Sequence, residues 1–144
     1  MSSADRIDAA QAEGGCHCGQ IRYAVTGAPL RHSICHCVDC RRHSGSPCVA
    51  WAIFPRERFR IVQGDAVAYA SSADAQRHFC GLCGTGLFYT SDTIFPGKID
   101  VQSATLDNPD LSPPTEHIQT ADRIGWLRDA HLLPEHARYP DDGD

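Results

Sequence analysis

Three cysteines crowd into six residues, Cys35-His36-Cys37-Val38-Asp39-Cys40, and this run constrains the chain more than any other feature. In an extended backbone, side chains two apart share a face, so Cys35 and Cys37 point the same way. A tight turn at Val38-Asp39 then returns Cys40 towards them. A disulfide between any two of these would close a very small, strained ring. A soft divalent ion needs only convergent sulfurs at about 2.3 Å, which the spacing supplies. Three local thiolates leave a fourth tetrahedral position for protein, water or substrate. The run therefore reads as a working metal site.

A second set is split along the chain. Cys16-x-Cys18 and Cys80-x2-Cys83 are two chelating halves with 61 residues between them. The later half has the form of a zinc knuckle, with Gly81 and Gly84 free to make the tight turn whose amides face the sulfurs. Four thiolates with no spare position describe a closed, structural site that ties the first strand to the middle of the chain. The competing reading is a pair of free dithiols. A redox C-x2-C motif, however, belongs beside a βαβ pattern, and none is present.

For the central run, Cys48, His43 or His36 are the candidates that would close a fourth position. Cys48 opens an apolar strand, where a lone cysteine more often serves as a small buried side chain. His17 and His36 lie between cysteines, point away from the sulfurs, and read as solvated or hydrogen-bonded. If the fourth position is open, zinc there would lower the pKa of a bound thiol or water, or polarise a carbonyl. Three thiolates make it a weaker Lewis acid than three histidines would, so a thiol-derived substrate suits it best. Arg41, Arg42, His43 and Ser44 follow directly and are candidates for anion recognition, or simply a solvated turn.

The chain has 144 residues, a net charge of -5 and 42% hydrophobic residues, the make-up of one ordinary domain. Thirteen scattered Lys and Arg give no footprint for nucleic acid or an anionic membrane. No apolar run approaches a membrane span. Met1 to Gly14 lacks the basic and apolar regions of a secretory signal. Eight cysteines in that setting indicate a reducing, cytoplasmic location and metal binding rather than a disulfide framework.

Residues 1–13 read as a leader, 14–133 as a single domain and 134–144 as an exposed tail. Gln20 to Thr26 alternates, with Ile21, Tyr23 and Val25 on one side, and predicts a half-buried strand. Val49 to Phe54 is a nearly continuous apolar run, expected to be a central strand covered on both faces. Short strands are expected at 59–62, 67–69, 76–79, 87–89 and 98–102, with a short amphipathic helix possible over 120–130. Asp39 to Gly45 is expected to form a helical turn or loop over the metal. Trp51, Phe54 and His117 are candidates for a pocket lining. Short strands with turn signals every 8 to 12 residues predict an all-β fold.

The order C-x-C, C-x-C-x2-C, C-x2-C-G-T resembles the glutathione-dependent formaldehyde-activating (GFA) family, which includes centromere protein V. The matching words are Gly15-Cys16-His17-Cys18-Gly19, Cys35-His36-Cys37-Val38-Asp39-Cys40-Arg41, Phe79-Cys80-Gly81-Leu82-Cys83-Gly84-Thr85 and Asp100-Val101…Leu106-Asp107. Pro114-Thr115-Glu116-His117-Ile118 and Trp126 are similar to its C-terminal pattern. The resemblance implies a β-tent of small antiparallel sheets around two zinc ions. Cys16, Cys18, Cys80 and Cys83 would hold a structural zinc, and Cys35, Cys37 and Cys40 a catalytic one. It also implies a carbon–sulfur lyase that joins glutathione and formaldehyde as S-hydroxymethylglutathione. Cys48 departs from the pattern, which has a phenylalanine or small apolar residue there. A purely structural zinc module and a thiol sensor that releases zinc on oxidation remain the competing readings.

Overall fold

The computed structural model describes residues 10–140. Ten strands make two sheets. The smaller sheet has the order β1-β2-β5, formed by β1 (Gln11–Gly15), β2 (Arg22–Thr26) and β5 (Phe59–Gln63). The larger sheet has seven strands. They are β3 (Arg31–Cys35), β4 (Val49–Pro55), β6 (Val67–Ser72), β7 (Ala75–Phe79), β8 (Gly86–Thr90), β9 (Lys98–Gln102) and β10 (Glu116–Ile118). Its order is β10-β3-β4-β9-β8-β7-β6, antiparallel except where β10 runs parallel to β3.

Strand periodicity explains how the large sheet serves two purposes at once. On one face Ala52 and Phe54 of β4, Ile99 and Val101 of β9 and Phe88 of β8 meet Tyr23 and Val25 of the small sheet and Ile21 just before it. Tyr23 and Phe59 both set an edge against Phe88, at 5.2 and 4.9 Å between ring centres. Tyr23 and Phe88, which are buried, each contribute about 1.5–3 kcal/mol of transfer free energy, and the partly buried Phe59 less. The residues between them face the other way. Arg77, Tyr89, Asp100, Ile53 and Arg31 are successive cross-strand partners and form one row across that second face.

The all-β expectation holds, and β4 is the central strand it was expected to be, between β3 and β9. Ile21, Tyr23 and Val25 do share the core. The supposed leader needs correction: Gln11 to Glu13 pair with β2 rather than standing outside the fold, and Asp107 N–H donates to Glu13 O at 2.9 Å. Residues 1–9 and 141–144 lie outside the described residues, so most of the expected leader and the end of the tail do too. Residues 120–130 form short 3-10 turns, Thr120–Asp122 and Gly125–Leu132, in place of an amphipathic helix. Gly125 at the start of the second turn breaks the α-helical pattern. Among the described residues no helix is long and apolar enough to cross a membrane.

Candidate metal centres

Both cysteine sets assemble, each at the ends of strands. Cys16 and Cys18 occupy the turn between β1 and β2, rather than the extended strand expected for them. Cys80 and Cys83 occupy the turn between β7 and β8. Gly19 and Gly84, each following the second cysteine, take φ values of 82° and 85° that side chains resist. They let each turn close, with Gly19 N–H donating to Cys16 O and Gly84 N–H to Cys80 O. Backbone amides of Ile21 and Cys83 then donate to the sulfurs of Cys16 and Cys80, at 3.2 and 3.4 Å.

All four of these sulfurs lie within 4.8 Å of one another. The Cys16–Cys18 and Cys18–Cys80 separations are 3.6 and 3.8 Å. Tetrahedral zinc with bonds of about 2.3 Å places its sulfurs about 3.8 Å apart. The donor set and its spacing therefore fit a closed zinc site. Thr85, whose hydroxyl lies 3.2 Å from Cys83 Sγ, helps pull that thiol down to about 5.

The second set assembles where β3 ends. Cys35 is the last residue of β3, Cys37 caps the helix α1 (Val38–Ser44), and Cys40 is in its first turn. Cys37 Sγ accepts the N–H of Cys40 at 3.3 Å, the position a Ser or Asp oxygen fills at other helix starts. Gly45, with φ 70°, ends the helix by donating to Arg41 O. The three sulfurs lie within 4.8 Å of one another. No ligand atom of Cys48, His36 or His43 joins them.

Those three cysteines open onto a cavity of about 490 Å³. Its walls include Trp51 and Ile53 of β4, Tyr89 of β8 and the loop residues Ile94 and Phe95, with Ile118 of β10. Arg31, Asp39, Asp100 and Asp122 bring charge to it. Arg31 is tied to Glu116 at 3.0 Å. Burial, helped by negative charge at Cys40, raises the half-buried Asp100 carboxyl to about 7.

The environment of the three sulfurs is unequal. Cys40 receives the indole N–H of Trp51 at 3.3 Å and both terminal nitrogens of Arg77 at 3.7 Å. Cys35 first, then Cys37, Trp51 and Arg77 pull the Cys40 thiol down to about 5 against the effect of burial. Sharing with Cys40, and then burial, pushes Cys35 up. Of the three sulfurs, Cys40 is the one that the Trp51 and Arg77 donors reach.

Several expected neighbours lie elsewhere. Phe54 is in the inter-sheet core, and of the three pocket candidates only Trp51 lines the cavity. His117 faces away, with its Nδ1 2.8 Å from His36 Nε2. His36 is buried and His17 exposed, and neither joins a sulfur set, in line with their expected roles. Arg41, Arg42, His43 and Ser44 lie on α1 outside the cavity. Arg41 donates to Asp122 O, and the His43 ring lies parallel to that of Tyr69. The anion-recognition role therefore loses its footing there. Arg31, Arg77, Tyr89 and Asp100 were missed, because only strand pairing places them in one row.

The model of the glutathione-dependent formaldehyde-activating enzyme family matches residues 11–122. The chain belongs to that family. Among its relatives is a Halomonas elongata protein named "Putative glutathione-dependent formaldehyde-activating enzyme", 27% identical over 80% of this chain and 78% of the relative. A Schizosaccharomyces pombe protein named as an uncharacterized lyase is 35% identical over 54% of this chain and 56% of its own length. A crystal structure of a Rhodobacter sphaeroides protein shares the fold, with a TM-score of 0.58 and 24% identity over 73% of this chain and 98% of the other.

Proposed function

We propose that this chain is a zinc-dependent carbon–sulfur lyase that joins a small thiol to an aldehyde, with glutathione and formaldehyde as the reference pair. The observation that carries this reading is the convergence of Cys35, Cys37 and Cys40 on a cavity wall with no fourth ligand among the described residues. Cys16, Cys18, Cys80 and Cys83 form the structural counterpart, a complete set of four distributed over two turns. Family membership supports lyase chemistry, and the relatives' names point the same way.

In this reading Cys35, Cys37 and Cys40 would hold the second zinc. That ion supplies a site where a thiol is held as its thiolate at neutral pH. The chain's own residues do the rest. Trp51, Tyr89, Phe95 and Ile118 exclude water from one side of the cavity and hold a small aldehyde close to the sulfurs. The sulfur–carbon bond forms as the carbonyl π-bond becomes a C–O single bond, and the proton lost by the thiol ends on that oxygen. Asp100 lines the same cavity and holds its proton more tightly than an ordinary carboxyl because it is buried. In this reading its carboxyl carries that proton.

The test is exchange spectroscopy by NMR on glutathione mixed with isotopically labelled formaldehyde, where the adduct forms slowly without catalyst. The zinc-loaded protein is expected to raise the exchange rate in proportion to its concentration, and Cys37→Ser to return it to background while keeping the structural zinc. Equal exchange with and without protein, for glutathione and for other small thiols, would overturn the proposal.

A further inference from the structure

Among the described residues Arg77 is the one buried Lys or Arg, with 6% of its surface exposed. Its position follows from the sheet. On β7 it lies across from Tyr89, and its guanidinium sits over that ring at 5.2 Å from the centre. Both terminal nitrogens reach Cys40 Sγ, and Nε has no partner at all. Among the described residues no carboxylate lies within ion-pair distance of it, although Arg22 and Arg31 each have one. A buried guanidinium keeps its charge and is costly to leave unpaired. The sulfur set is what offsets it.

The donors are aimed at one sulfur only. Trp51 Nε1 donates to the same Cys40, and both donors are fixed in strands of the large sheet. The other charged groups that reach the cavity make the point sharper. Asp39 and Asp122 are acidic, Asp100 adds a third carboxyl that burial keeps more protonated, and Arg31 is committed to Glu116. Three thiolates around a divalent ion leave one excess negative charge, and a thiolate in the fourth position makes two. An acidic cavity alone would repel such a ligand and favour a neutral one.

We infer that Arg77, seconded by the Trp51 indole, is the positioning residue that lets the three-cysteine centre accept an anionic sulfur ligand in preference to a neutral one. It acts through Cys40: the hydrogen bonds draw charge from that sulfur, and the buried cation offsets the charge of the incoming thiolate. The inference rests on the proposed function only for the metal at Cys35, Cys37 and Cys40. It does not need turnover.

Cobalt(II)-loaded protein gives a direct readout, since the sulfur-to-cobalt absorption bands report each ligand that enters. Two probes are titrated, β-mercaptoethanol as the thiol and imidazole as the neutral competitor. Arg77→Met is expected to weaken β-mercaptoethanol binding by about ten- to a hundredfold, the loss of a charge-assisted contact. Imidazole affinity is expected to change by less than about threefold. Arg77→Lys should restore part of the thiol affinity, since it returns the charge without the fork. Trp51→Phe keeps the ring and removes one N–H donor, and is expected to cost a smaller loss confined to the thiol.

Unchanged thiol binding in a folded Arg77→Met protein would overturn the inference, as would equal losses for both probes. Should Arg77→Met fail to fold, Trp51→Phe decides: unchanged thiol affinity there overturns it too. Parent protein that binds neither probe would sink the proposed function itself, a result distinct from a lost preference in the variants.

Discussion

Cys83→Ser removes one of the four sulfurs that join two distant turns, and its effect can be estimated from chain geometry. Cys18 and Cys80, 62 residues apart, are brought within 3.8 Å. A cross-link closing a loop of that length stabilises the fold by about 4 kcal/mol through the entropy it removes from the unfolded chain. The central set closes only the five-residue step from Cys35 to Cys40, for which the same relation gives about 2 kcal/mol. Typical domain stability is about 5–15 kcal/mol, so losing the long link is a large fraction of the whole. Urea unfolding of the metal-loaded protein is the assay. With a slope of about 2 kcal/mol per molar, Cys83→Ser is expected to lower the midpoint by about 2 M, and Cys37→Ser by about half as much. Excess chelator, which empties the three-cysteine centre as well, should bring the parent below Cys83→Ser by about a further 1 M. A Cys83→Ser protein that has lost one metal yet unfolds at the parent's midpoint would refute the reasoning.

Other consequences follow from single packing and titration features. A methyl at residue 14 would fall 2.5 Å from both Thr105 O and Tyr23 Oη, so Gly14→Ala is expected to lose about 2–3 kcal/mol in the same urea assay. Asp100, raised to about 7 chiefly by burial, binds its proton more tightly in the folded chain than in the unfolded one. Stability should therefore fall as pH rises from about 4 to about 7, at most by about 1.4 kcal/mol per unit. Asp100→Asn removes that fall: thermal melts should show the variant more stable than the parent at pH 8 and the two nearly equal at pH 4. Tyr23→Phe deletes a buried hydroxyl that meets Thr105 Oγ1 at 2.8 Å and is expected to cost about 1 kcal/mol, read from the urea midpoint.

What could be read from the residues was what depends on short spacing. The three close cysteines, the two separated pairs and the apolar runs of β2 and β4 are local patterns, and they placed both sulfur sets before any pairing was known. The reason given for Cys16 and Cys18 was nevertheless wrong, since a turn closed by Gly19 converges them rather than a strand face. What could not be read was register. Arg77, Tyr89 and Asp100 are far apart in sequence and become neighbours only because β7, β8 and β9 pair as they do. β10 is three residues long and carries no alternation that would announce a parallel edge strand beside Cys35. A buried arginine on β7 also contradicts the ordinary rule that such residues face solvent, and its reason lies in a sulfur contributed from another element.

The central claim is a three-sulfur centre left open beside a closed four-sulfur one. The most direct measurement is zinc per chain on reduced protein, with Cys48→Ala and Cys37→Ser beside the parent. Two zinc ions are expected in the parent and in Cys48→Ala, and one in Cys37→Ser. Loss of a zinc from Cys48→Ala would mean that a fourth sulfur closes the centre, and would contradict the account.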